Sequence, residues 1–173
     1  MEKKVTSHIT KGIVISLILI VFGLIANFAG FEYESWYRWI PTLILCIGII
    51  WACINYANQM NNAVTFGNVF AHGFKTSAVV TVLTVIFALI SIYLIFPESK
   101  EKAMEIARQE MDKNPQITEE QADQAMEIVD RFFIISVIGG MILMTLIAGA
   151  ISSLLGAAFA KKTPPSPFNN PNP

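Results

Sequence analysis

Charge is what this chain of 173 residues has least of. Asp, Glu, Lys and Arg make up 14% of it, against about 25% in an average globular domain. A disordered segment would be richer in charge. Only two cysteines and two histidines are present, which excludes a disulfide-rich module and leaves little for a zinc site. Twelve Lys and Arg nearly cancel thirteen Asp and Glu, so no excess of one sign points to nucleic acid. Walker loop, dinucleotide fingerprint, zincin motif and nucleophile elbow are all missing. The chain is therefore read as not an enzyme, with no catalytic residue, no metal ligand and no cofactor. Apolar side chains are what it has, at 54%, and that points to a protein crossing a membrane several times.

A spanning helix needs about 20 mostly apolar residues. Four stretches without Asp, Glu, Lys or Arg meet or approach that length, at about 12–31, 40–56, 78–96 and 132–160. The expected fold is all-α, a four-helix transmembrane bundle forming one membrane domain over 1–162. The basic start MEKK resembles the opening of a signal peptide. The apolar run after it exceeds the usual 7–15 residues, and no clear cleavage site follows. Cys46 and Cys53 lie seven residues apart, or about 10.5 Å along a helix. That is beyond the Cα separation of about 7 Å a disulfide tolerates, so both are read as packing residues.

Residues 97–131 form the large polar segment, with ten acids and five bases. Met104, Ala107 and Met111 make one apolar stripe, and Ala122, Ala125, Met126 and Val129 another. Asn114-Pro115 separates them, and Thr118-Glu119-Glu120-Gln121 has the form of a capping box. The segment is expected to be an extramembrane helical hairpin, braced by Glu98–Lys102 and Glu127–Arg131 pairs. The last residues, 163–173, are proline-rich and expected to be a disordered tail.

An even number of spans puts both termini on one side. Basic residues divide equally between the two sides, but Lys3, Lys4 and Lys11 precede the first span and only Arg38 follows it. Both termini are therefore read as cytoplasmic. Trp36, Tyr37 and Trp39 then make an aromatic belt at the outer interface, and Pro41 opens the second span.

Phe66, Phe70 and Phe74 recur every four residues, with Gly67 and Gly73 between them, which predicts an interfacial aromatic motif leading into the third span. His72 in this stretch reads as an ordinary solvated or hydrogen-bonded side chain, and His8 as a tail residue. The pattern Val64-Thr65-Phe66-Gly67-x-x-Phe70-x-x-Gly73-Phe74 resembles the bacterial membrane proteins grouped as domain of unknown function 4199. The similarity runs from about Lys4 to Lys162 and takes in Pro41 and the polar insert before the last span. It implies a small four-span protein of the bacterial inner membrane, with no established activity and no site residues to carry over.

Ala148, Ser152, Gly156 and Ala160 step along the fourth span at intervals of four. Such small residues allow close helix contact, either within the bundle or across a homodimer. None of the four charge-free stretches carries a histidine either. Intramembrane ionisable groups mark transport pathways, so ion-coupled transport is disfavoured. The partners expected are the lipid bilayer and a second copy or another membrane protein, with no nucleic acid. The reading is a small scaffold or accessory subunit, and the alternative is a channel or transporter component.

The lysine distribution makes a topological prediction. A reporter active only outside the cytoplasm should stay silent when fused after Lys162 and become active when inserted at Asn114. The reverse pattern would invert the orientation.

Overall fold

The computed structural model of the chain describes residues 5–31, 34 and 36–163. The tail expected over 163–173 lies outside them beyond Thr163. Among the described residues five α-helices follow one another: α1 (His8–Ala29), α2 (Ile40–Gln59), α3 (Phe66–Ile90), α4 (Ser99–Asp112) and α5 (Glu119–Phe159). No strand occurs among the described residues. A short 3-10 turn, Tyr37–Trp39, precedes α2, and a π-helical turn, Ser91–Ile95, extends α3. The four helices long and apolar enough to cross a membrane are His8–Ala29, Ile40–Gln59, Phe66–Ile95 and Glu119–Phe159.

Three of these helices begin earlier than the charge-free stretches, the last because α5 runs on from the polar segment at Glu119. The first takes in His8 and Lys11, and the third starts at Phe66 and includes His72 and Lys75. In those two the cause is local capping. Ser7 accepts the Thr10 N–H through its side chain at 3.1 Å, and Thr65 accepts that of Asn68 at 3.2 Å. A Ser or Thr cap satisfies an otherwise orphaned donor and sets where a helix starts, whatever the charge of the next residues. At the other end of α1, Gly30 takes the left-handed conformation (φ 76°) that glycine adopts without penalty.

The chain forms two compact units. The first comprises Met1–Thr84 and Leu143–Pro173. Its helices meet through small residues. A methyl placed on Gly48 would lie 3.0 Å from Ile15, joining α1 to α2, and one on Gly12 would lie 2.7 Å from Val79 Cβ, joining α1 to α3. A methyl on Gly156 of α5 would lie 2.7 Å from Cys53 Cβ and 3.2 Å from Ile50 Cα on α2. One on Gly73 of α3 would fall against Cys53 and 2.7 Å from Ser153 Oγ, and one on Gly149 would strike Ser77. Cys53, Gly73, Ser153 and Gly156 thus form a node where α2, α3 and α5 approach one another. Ser152, Ser153, Gly156, Ala157 and Ala160 are buried, and Ala148 packs against the core.

The outward faces are the opposite of a soluble protein's. Ile47 is 67% exposed, Val82 58% and Ile151 54%. A rim of exposed branched aliphatic side chains around a small-residue interior is the pattern of helices solvated by lipid.

One end of this unit gathers three chain segments. The Thr6 N–H donates to Gln59 Oε1 at 2.8 Å, and Gln59 Nε2 donates back to Thr6 Oγ1 at 3.0 Å. The Thr163 N–H donates to the Asn62 carbonyl at 2.9 Å. The segment before α1, the α2–α3 turn and the segment after α5 therefore share one end, as an even number of crossings requires. The turn is tight because Asn61 and Asn62 both adopt positive φ (53° and 62°), which asparagine tolerates better than most residues.

The second unit is Val85–Ile142, and its polar part is a helical hairpin. Ala122 is buried, while Ala125, Met126 and Val129 of α5 and Met104, Ala107 and Met111 of α4 are half-buried. The Thr118 N–H donates to Gln121 Oε1 at 3.0 Å and Thr118 Oγ1 accepts the Gln121 N–H at 3.3 Å, a closed capping box. Cross-links run from Lys100 to Asp130 at 2.8 Å and from Arg108 to Asp123. Two further pairs run along α4, Arg108–Asp112 and Lys113–Glu110, each at 3.1 Å, and the expected Glu98–Lys102 and Glu127–Arg131 steps are not among the ion pairs of the described residues. The hydrogen bond to Asp123 raises the pKa of the Arg108 guanidinium above its ordinary value. Such surface pairs are worth about 0–1 kcal/mol, so the hairpin rests mainly on its apolar faces. It passes into the apolar part of α5 without interruption, through Gly139 and Gly140.

Gly156→Leu forces a branched side chain into the α2 backbone. Overpacking of this kind costs about 1–3 kcal/mol, so the melting temperature in detergent should fall. Ile151→Leu, on an outward face, should melt like the parent. Equal melting of the two variants would show that the α2–α5 contact yields freely.

Candidate functional site

The chemistry-bearing side chains of the first unit collect beside the Cys53 node. Lys11 is 1% exposed although it lies near the start of α1. Its Nζ donates to the Ala52 carbonyl of α2 at 3.2 Å and stands 5.9 Å from the centre of the Tyr56 ring. Tyr56 stacks on His72 of α3, with ring centres 4.1 Å apart and planes 9° from parallel. His8 meets His72 edge-on at 6.2 Å. Below these rings the Cys53 thiol donates to the Val69 carbonyl at 3.7 Å.

Helix geometry explains the grouping. His8 and Lys11 are one turn apart on α1, and Cys53 and Tyr56 one turn apart on α2. On α3, Val69, His72, Gly73, Thr76 and Ser77 lie on the buried face. The hydroxyl of Thr76 donates to the His72 carbonyl at 2.8 Å, and that of Thr81 to the Ser77 carbonyl at 2.9 Å. Back-bonding of this kind satisfies a hydroxyl within its own helix, so these residues demand nothing of their neighbours. His72 differs, because its Nε2 is buried without a hydrogen-bond partner, as is Ser152 Oγ.

The aromatic motif occupies the beginning of α3 and turns directly into the third span. Phe66 and Phe74 are exposed, and Phe70 stacks on Phe74 at 5.9 Å. Gly67 is exposed, whereas Gly73 is buried in the node. Lys162 Nζ lies 5.6 Å from the Phe66 ring centre and donates to the carbonyls of Ala157 and Ala160, capping α5 as a cation does best. The expected packing residues Ser152, Gly156 and Ala160 lie in the node or next to it.

Sequence reasoning missed Lys11, Tyr56 and His72. A search for charge-free runs ends at each lysine, so it cannot return a lysine buried inside a span. The four charge-free stretches hold no charged side chain or histidine, but the helices that contain two of them extend further and take in Lys11 and His72. The signal that could have exposed Lys11 was its interval from the Ser7 cap, which already places the lysine on a helix. Among the described residues, no three His, Cys, Asp or Glu side chains come together as a metal site would need.

The family model described as a protein of unknown function (DUF4199) matches residues 10–162. The chain belongs to this family. No curated protein and no solved structure matches it. The matched span of this DUF4199 protein runs from just before Lys11 to Lys162, and so takes in all of the second unit, most of the first, and Lys11, Tyr56 and His72, but not His8.

Tyr56 is the side chain through which Lys11 and His72 meet. Tyr56→Phe keeps the ring and should leave stability unchanged within about 0.5 kcal/mol. Tyr56→Leu removes a stacked pair worth about 0.5–1.5 kcal/mol beyond area burial, and should lower the melting temperature by several degrees. Identical melting of the two variants would show that the stack contributes nothing.

Proposed function

We propose that this integral membrane protein acts without enzymatic chemistry, as a small scaffold or accessory subunit of the bacterial inner membrane with both termini cytoplasmic. The observation that carries the reading is the hairpin. It is acidic, yet Ile128 is 61% exposed on α5 and Ile106 is exposed on α4. Isolated aliphatic side chains amid acids, beside adaptable methionines, suit contact with another protein. The small-residue ridge of α5, by contrast, is used inside the first unit against Cys53, Ser77 and Ile50. That favours the hairpin over the ridge as the surface through which a partner or a second copy associates.

The alternative is a channel or transporter component. Lys11 and His72 inside spanning helices favour it, because such residues commonly line ion pathways. Flux through proteoliposomes of the pure protein, lost on Lys11→Met, would select this reading over the first.

Crosslinking in native membranes followed by mass spectrometry tests the scaffold. One recurring partner should be captured by the parent chain. Ile128→Glu should reduce that capture while leaving the melting temperature unchanged. Capture that is unaffected by Ile128→Glu would remove the hairpin from the interaction.

A further inference from the structure

Among the described residues, Lys11 is a cation without a counter-ion. Buried charges in proteins are paired or neutralised, because an unpaired one costs several kcal/mol or more. Among the described residues of the first unit, the sole acid is Glu34. It lies past the far end of α1, some 23 residues from Lys11 in sequence. No carboxylate of this unit's helices reaches the lysine, and the one hydrogen bond it makes is to a carbonyl already inside a helix. The other charged side chain nearby is of the same sign: Lys75, like Lys11, acts on His72, and the His8 imidazole meets that ring edge-on. Lys75 is exposed, and His8 is half-exposed. His72 Nε2 stays unpartnered in the middle of the group. This end of the unit thus has excess positive charge and unused donors.

What surrounds it is lipid. Ile9 and Ile13, on either side of Lys11 along α1, are 51% and 43% exposed. Lys11 sits about one helical turn, or about 4.5 Å, from His8, so its ammonium, turned inward to the Ala52 carbonyl, lies as a fixed charge behind the half-exposed His8. We propose that this end of the unit binds the phosphate of an acidic phospholipid headgroup, with Lys11 as its counter-charge and His8 and Lys75 as the groups that meet it first. The inference rests on the protein's residence in a membrane and not on a scaffold role.

The full chain in uncharged detergent supplies the test, with melting followed on adding phosphatidylglycerol, phosphatidylcholine or inorganic phosphate. Phosphatidylglycerol should raise the melting temperature by about 2–4 °C or more and should be retained on the protein in native mass spectrometry. The other two additions should do neither. Lys11→Met should melt higher than the parent without lipid, because an unpaired buried charge has been removed, and should no longer respond to phosphatidylglycerol. Lys75→Gln and His8→Gln should each weaken the response, and they carry the test if Lys11→Met does not fold. Lys113→Gln, in the hairpin, should respond as the parent does. An equal rise with phosphatidylcholine, or full responses in Lys75→Gln and His8→Gln, would overturn the site. An equal rise with inorganic phosphate would overturn the lipid as its source.

Discussion

Apolar helices in lipid gain nothing by hiding from their solvent, since acyl chains are as apolar as leucine. What holds them together is close contact, and here that contact converges on Cys53. Gly73 and Gly156 come against it from two other helices, and Ser153 closes the same node. Dispersion falls off steeply with separation, so glycine and serine at these points let backbones approach far enough for it to count. The larger aliphatic residues are thereby left for the outside. The fold is organised around absent side chains in the middle and abundant ones at the edge.

The same economy of bulk frames the Lys11–Tyr56–His72 group. Tyr56 is a large ring at the edge of a small-residue interior, and it fills the space between α1 and α3 that glycine leaves elsewhere. Its stacking on His72 and its position near the Lys11 ammonium make this the one place among the described residues where three spanning helices bring polar rings and a charge together. Membership of the DUF4199 family extends over the whole group, so the arrangement belongs to the matched part of the chain and not to an appended tail.

Much of this fold was legible in the sequence because length and charge are strong signals in membranes. The four crossings, the hairpin with its capping box at Thr118, and the small-residue steps of α5 all follow from local patterns. The start points of α1 and α3 did not follow, since Ser7 and Thr65 cap helices that take in a lysine, Lys11 or Lys75, before the charge-free stretch begins. Lys11 was assigned to the membrane flank by the rule that lysines flank spans. His72 was discounted because a single histidine has no pattern, and its meaning comes from Tyr56 and His8, which are distant in sequence. The aromatic repeat drew notice to Phe66, Phe70 and Phe74, while the chemistry lay on the other face of the same helix. Periodicity reports which residues share a face but not which face meets a neighbour.

The back-bonded hydroxyls bear on how such a chain is made. Ser16, Thr76, Thr81, Thr84 and Ser153 each donate to a carbonyl three or four residues earlier in their own helix. Each helix therefore leaves the insertion machinery with these polar groups already content, and can wait in lipid for its neighbours. Lys11 and His72 cannot: their contacts lie on helices that emerge at other times. The first helix must hold its lysine at the headgroup layer until Tyr56 and Ala52 have been synthesised. Burial of that side chain is then a late event of biogenesis, completed only as the second and third helices dock.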